Sequence, residues 1–220
     1  MNKINSANKR LTLVDKLRLV VQIFCLIVFI FLISINQNKI WMNIMLGSFM
    51  ITFIFGRFYC GWICPINTLM RLVDWLAKKL KIQHNDIPPV LKSPWLRYVI
   101  FILFLVSMIL LKDIIKLNML LIIMPFALLV TVFLPSAAWH RYLCPFGILF
   151  SIPARLSLFN FGINNDNCAS CGRCRKICPG VAVEEERTKG KRFFVLPRHC
   201  LLCFECTKFC PQKAISVCKR

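Results

Sequence analysis

Long apolar runs alternate with short charged connections over the first two thirds of the chain. Four runs approach the roughly 20 residues that a helix needs to cross a bilayer: Leu17–Ile35, Ile40–Tyr59, Trp95–Leu111 and Leu117–Leu134. The second carries Asn43 and reaches full length only if Arg57 snorkels to the interface, so a re-entrant segment is its alternative. The segment "INTLMRLVDWLAKKLKI" reads differently. Ile66, Leu69, Met70, Val73, Leu76 and Leu80 recur at helical spacing, with Arg71, Asp74, Lys78 and Lys81 opposite. This predicts an amphipathic helix, lying on a membrane face or packed on the protein itself. "QHNDIPPVLKSP" has the proline and polar content of a loop. Near the end, "VAVEEERTKGKRFFVLP" holds two short strand-like runs around Lys189-Gly190, which predicts a hairpin.

Composition sharpens this pattern. The 220 residues are 58% hydrophobic with a formal net charge of +20, and the mean hydropathy is +0.65. Nucleic acid is one partner for so basic a chain, but the apolar content points to a bilayer with basic flanks, and no nucleic acid is expected. Lys3, Lys9, Arg10 and Lys16 precede the first run, and Arg71, Lys78, Lys79, Lys81 and Lys92 lie between the second and third. The other connections hold Lys39, and Lys112, Asp113 and Lys116. The positive-inside rule then places both termini and the middle loop in the cytoplasm, with four crossings of the cell membrane. The first run lacks a small-residue cleavage site and reads as a retained span.

A shift of 80 residues lays "CGWICPINTL" over "HRYLCPFGIL". Cys64 falls on Cys144, Pro65 on Pro145 and Leu69 on Leu149, while Cys60 falls on His140. The same shift superposes the first span on the third and the second on the fourth. The membrane part is therefore expected to be two parallel helical hairpins, each closing in a Cys-Pro turn on the cytoplasmic face.

Most of the 13 cysteines lie from Cys168 onward. "CASCGRCRKICP" and "CLLCFECTKFCP" each read C-x2-C-x2-C-x3-C-P, the bacterial two-cluster ferredoxin run. Three close thiolates cap three corners of a cubane, and the fourth cysteine, expected at the start of a helix, serves the other cubane. Cys168, Cys171, Cys174 and Cys210 are the predicted ligands of one [4Fe–4S] cluster, and Cys178, Cys200, Cys203 and Cys206 those of a second. Zinc has no use for eight ligands in this rhythm, and disulfides fit a cytoplasmic location poorly. The two runs repeat at a shift of 32. Arg173, Arg175, Lys176 and Lys208 beside them either tune the clusters or form a solvated basic face. The predicted fold is an α-helical membrane protein of four transmembrane helices in two repeated hairpins, residues 1–160. It is followed by an α+β two-cluster bacterial ferredoxin domain, residues 161–220.

With "GRFYCGWICP" and "RYLCPFG" at the helix ends, the chain resembles the membrane polyferredoxins of the periplasmic nitrate reductase and nitrous-oxide reductase systems. The resemblance runs from about Leu17 to Val217. It implies a quinol dehydrogenase-like component, relaying electrons between the quinone pool and a partner redox protein or reductase. It also implies that Cys60, Cys64 and Cys144 form a functional group near the membrane surface. One departure stands out: His140 occupies the place of the second turn's first cysteine. Three cysteines and a histidine can bind a metal, but they cannot make two dithiol pairs. Packing of Cys60 and Cys64 at the interface is the plainer reading of those thiols. His140 reads as a hydrogen-bonding residue or as a proton handler near quinone, and Arg57, Trp62, His140 and Tyr142 are candidates for a quinone contact. The turn and ferredoxin architecture is also similar to that of copper-reducing assembly factors of membrane oxidases, whose Cu(I) would suit Cys60, Cys64 and Cys144. No function is assigned to Cys25 or Cys218.

Overall fold

The computed structural model describes residues 13–84, 86–111, 119–186 and 192–219. The charges at Lys3, Lys9, Arg10, Lys112, Asp113 and Lys116, and the Lys189-Gly190 turn, lie outside the described residues. The helical part begins with α1 (Leu13–Ser34), α2 (Asn38–Phe55), the short α3 (Phe58–Trp62) and α4 (Pro65–Lys79). It continues with α5 (Pro94–Leu111), α6 (Met119–Phe133), a turn α7 (Ser136–Ala138), a π-turn over Trp139–Leu143, and α8 (Pro145–Ser151).

The four-span arrangement is not what forms. Among the described residues only α1 is long and apolar enough to cross a membrane; Lys39–Phe55, Trp95–Ser107 and Ile122–Phe133 are shorter apolar helices. At the second run the difference has a local cause. The second run does not continue to Tyr59, because Gly56 takes a left-handed φ of 59° and ends α2. Within α2, Ser48 and Thr52 turn their hydroxyls back on the carbonyls four residues earlier.

Apolar side chains nevertheless cover the outside of these helices. Phe24, Ile27, Ile30 and Phe31 on α1, Ile102, Leu103 and Ile109 on α5, and Phe126 and Leu129 on α6 are all exposed. The inner faces pack around Phe29, Trp41, Ile66, Met70, Ala127 and Trp139. The amphipathic pattern predicted for residues 66–80 forms α4. Ile66 and Met70 turn into this core, while Leu76 and Leu80, with Leu72 and Trp75, stay exposed.

The remaining chain is small and mixed. β1 (Phe159–Ile163) pairs antiparallel with β4 (Ile215–Lys219), Phe161 opposite Val217. β2 (Val183–Glu186) pairs antiparallel with β3 (Arg192–Val195), Val183 opposite Val195. That is the expected hairpin. Two short helices, α9 (Arg173–Ile177) and α10 (Glu205–Lys208), follow the two cysteine loops. Cys178 and Cys210 lie just beyond the C-terminal ends of these helices, not at a helix start as the spacing suggested.

Candidate iron–sulfur centres

The cysteine spacing folds into two cavities. One is lined by Cys168, Cys171, Cys174 and Cys210, the other by Cys178, Cys200, Cys203 and Cys206. Each brings together three cysteines of one run and the fourth cysteine of the other. The loops repeat in backbone as well. Ser170 and Leu202, Gly172 and Phe204, and Val181 and Lys213 are left-handed pairs, each 32 residues apart, with φ between 48° and 67°. A left-handed residue among right-handed ones turns successive N–H groups inward, which makes a concavity for anions such as iron–sulfur groups. For Phe204 that conformation is costly and persists only because its surroundings impose it. Backbone N–H groups also donate to the thiols, Ala182 to Cys178 Sγ at 3.2 Å and Ala214 to Cys210 Sγ at 3.4 Å.

The two cavities differ in surroundings. The first faces outward: Cys171 is exposed, and so are Arg173, Arg175 and Lys176 beside it. The second is packed under the helices. Cys200, Cys203 and Cys206 are buried, and α1 holds their loop from below. Arg18 donates to Cys203 O at 2.7 Å and to Glu205 Oε1 at 3.0 Å, Lys208 pairs with Asp15 at 3.0 Å, and Trp62 Nε1 donates to Leu202 O at 2.9 Å. Gly61 is forced by this contact: a Cβ there would lie 2.1 Å from Leu201 O. Its own carbonyl accepts from Arg18, Gln22 and Asn67.

A third cavity lies at the Cys-Pro turns, lined by Tyr59, Cys60, Cys64, His140, Cys144 and neighbours. The two turns are built alike. Cys64 and Cys144 precede helices that begin with Pro65 and Pro145, at φ, ψ of −61°, 118° and −69°, 113°. Proline suits a first helical position because its missing N–H has no helical partner there. Gly147 N donates to Cys144 Sγ at 3.3 Å, and His140 Nε2 meets Asn67 Oδ1 at 3.0 Å. Tyr59, Cys60, Phe150, Leu201 and Cys203 form one buried group, so this cavity adjoins the second one. Arg57, Trp62 and His140 are buried and offer no surface to a quinone; Tyr142 is partly exposed.

Burial dominates the electrostatics. It pushes the Cys64, Cys200 and Cys206 thiols well up, Cys144 and Cys203 up to about 11, and Cys174 up. These side chains are protonated without a metal and become thiolates as one binds. Burial, reinforced by Arg57, lowers His140 to about 3, so its imidazole is neutral. A cationic seam gathers about His199, whose imidazole is kept neutral by burial and by the arginines around it: Arg57 Nε and Nη1, Arg97 Nε, Arg141 Nη1 and Arg198 Nε, and His199 Nδ1 itself, are buried without hydrogen-bond partners. Among the described residues, no three His, Cys, Asp or Glu side chains converge as one metal ion requires. A cubane spreads its thiolates by its own bulk, so its ligands need not meet so closely.

The family described as a 4Fe-4S binding domain matches residues 38–83 and again 118–164, and a 4Fe-4S dicluster domain matches residues 160–211. The chain is thus a ferredoxin-type iron–sulfur protein. Its relatives include proteins named as ferredoxin-type and as electron transport proteins, the group that its motifs resemble. It is 32% identical over 136 residues to an uncharacterised protein of Methanocaldococcus jannaschii, covering 60% of this chain and 55% of that one. It is 28% identical over 162 residues to the putative electron transport protein YccM of Escherichia coli, covering 63% and 45%. To the ferredoxin-type protein NapH of Haemophilus influenzae it is 28% identical over 169 residues, covering 66% and 56%. The chain thus spans about half the length of the curated relatives it matches. No solved structure matches.

Sequence reasoning missed one functional set. Asp15, Arg18 and Gln22 are buried on α1; Asp15 and Arg18 hold the second cysteine loop, and Gln22 donates to Gly61 O beside it. Their i, i+3, i+7 spacing, polar on one face of an apolar helix, was the available signal.

Proposed function

We propose that this chain is a membrane-seated electron relay with two [4Fe–4S] clusters, exchanging electrons between the quinone pool and a partner redox protein. One cluster would be held by Cys168, Cys171, Cys174 and Cys210, the other by Cys178, Cys200, Cys203 and Cys206. The observation that carries the reading is that each of these crossed sets lines its own cavity. When bound, such clusters supply one-electron chemistry, so two of them let a two-electron quinol discharge stepwise.

The chain's own residues do the rest. The buried loop of Cys200, Cys203 and Cys206 excludes water from the inner centre, while exposed Cys171 brings the outer one within reach of a partner. Arg18, bonded to Cys203 O, places a fixed cation beside the inner thiolates, which favours the more reduced, more negative state. The basic rim of Arg173, Arg175 and Lys176 suits an acidic partner. The exposed apolar faces of α1, α5 and α6 are covered most economically by lipid. Because the N-terminal end of α1 holds the cysteine loop, both belong on one side. The excess of lysine and arginine assigns that side to the cytoplasm.

The deciding experiment is an EPR-monitored redox titration of the anaerobically purified chain in lipid nanodiscs. Two one-electron [4Fe–4S] signals, with one midpoint near or above that of the quinol couple, are expected. Midpoints far below that couple would remove quinol as the donor. Absence of any iron signal would remove the relay altogether.

A further inference from the structure

We propose that Arg97, Arg141 and Arg198 form a binding site for the phosphate of an anionic phospholipid headgroup, where the helices meet the cysteine-rich part. The proposal rests on the reading that the apolar faces of α1, α5 and α6 lie in a bilayer, and adds to that seat a lipid of defined headgroup.

An excess of positive charge is the first reason. Arg57, Arg97, Arg141 and Arg198 all bear electrostatically on His199, and Arg57, Arg141 and Arg198 on Arg97. The scaffold that gathers them is α8. A Cβ on its Gly147 would lie 2.6 Å from Arg57 Nη2, and Arg97 Nη2 donates to its Ser151 Oγ at 2.9 Å. Gly147 and Ser151, four residues apart, share one face of that helix. The turn Pro197–His199, which carries Arg198, packs against the same helix. Among the described residues, Glu184 is the one carboxylate hydrogen-bonded to any of the four, 3.2 Å from Arg141 Nη2. Arg57 also acts on Cys200, so the thiolates of the inner centre can answer its charge. Arg97 and Arg198 have no such anion among the described residues.

Hydrogen bonding is the second reason. Arg97 Nε, Arg141 Nη1 and Arg198 Nε are buried with no acceptor. Guanidinium groups so placed keep a strong demand for anionic oxygen. Each of the three residues is half-buried rather than sealed, so an oxyanion can approach from outside. Their planar N–H forks match the paired oxygens of a phosphate.

Place selects the lipid. Arg97 lies in the first turn of α5, and its neighbours Trp95, Tyr98 and Ile102 form one exposed stripe at helical spacing. Ile152 and Leu156, just past α8, are exposed as well. Aromatic residues at the head of an apolar stripe mark a bilayer interface, and a basic pocket between helices at that level suits an anionic headgroup. With its phosphate at the arginines, a lipid would lay its acyl chains on Ile102 and Leu103. A free phosphate ion would leave this apolar border uncovered.

The test uses the full chain in phosphatidylcholine nanodiscs doped with phosphatidylglycerol or phosphatidylcholine spin-labelled on an acyl chain. EPR at room temperature reads the motionally restricted fraction of each label. Wild type should hold phosphatidylglycerol in preference. Arg97→Gln and Arg198→Gln should each cut that preference by about fivefold, the weight of one basic charge at an anionic surface. Arg97→Lys keeps the charge and should lose only part of the preference, since an ammonium has no planar fork. Arg175→Gln, which removes an exposed cation outside the seam, should leave it unchanged. Circular dichroism establishes that each variant folds. Equal restricted fractions of the two lipids in wild type would overturn the site and leave the bilayer seat standing. An equal loss in Arg175→Gln would overturn it too, by reducing the preference to diffuse surface charge. Displacement of labelled phosphatidylglycerol by inorganic phosphate at constant ionic strength would make the ligand a free anion and overturn the lipid. Absence of any restricted label would remove the bilayer seat as well.

Discussion

The loop of Cys168–Cys178 and the loop of Cys200–Cys210 share one spacing, one short helix and one set of left-handed residues, yet they occupy opposite surroundings. The first opens to solvent through Cys171 and a rim of exposed basic side chains. The second is clamped between α1 and α3, its loop carbonyls taken by Arg18 and Trp62. The same cysteine spacing thus meets two settings, one screened from water and one open to it. What separates them is the neighbours that each loop meets.

The sharpest way to break this comparison is to remove one ligand from each loop. Cys203→Ser should abolish the inner cluster and loosen the packing around Leu201, because metal binding is folding free energy in such a site. Cys171→Ser should remove the outer cluster and leave the helical part intact. Iron content, EPR and thermal unfolding of the two variants report the asymmetry. Equal loss of stability in both would mean that the loops are equivalent after all.

Next comes Arg18→Met. It removes a buried cation, but its partner Glu205 is partly exposed and keeps Arg71 at 3.4 Å, so the cost should be about 1–3 kcal/mol. It should also lower the midpoint of the inner cluster and leave the outer one in place, which a redox titration resolves. Gly61→Ala is expected to cost about 1–3 kcal/mol, since the new Cβ must push the Leu201 carbonyl away. Denaturant unfolding measures that cost, and selective loss of the inner EPR signal locates it. Chelation over time gives a gentler probe: the outer signal should fade first. Arg175→Ala marks the lower end. Its pair with Glu185 at 3.1 Å is exposed, so stability should change by no more than about 0.5 kcal/mol.

Much of the cysteine-rich part was legible in the sequence. The C-x2-C-x2-C-x3-C-P rhythm fixes which thiols a tight loop can gather, and the crossed sets line the two cavities. The alternation in "VAVEEE" and "RFFVLP" announced β2 and β3. The Cys-Pro turns were visible because proline marks a first helical position, and Cys64 and Cys144 precede such helices. The helical part was harder to read. An apolar run records composition, but a helix also needs an uninterrupted backbone. Gly56 broke the second run where hydrophobicity continued through Phe58 and Tyr59. Asp15 and Arg18 drew no reading in the sequence, and became the contact that holds the inner loop.

The sequence by itself determined how the thiols are grouped. Thiol spacing is a local property, set by the reach of a few residues of backbone, so which cysteines line each cavity follows from order along the chain. Only the tertiary structure decided which loop is buried, where Arg57 loses its water, and that the Cys-Pro turns enclose a cavity beside the inner cysteines. Those features depend on residues 40 to 185 positions apart meeting across helices. No local pattern encodes such a meeting; it arises from packing α1, α3 and the second cysteine loop into one space.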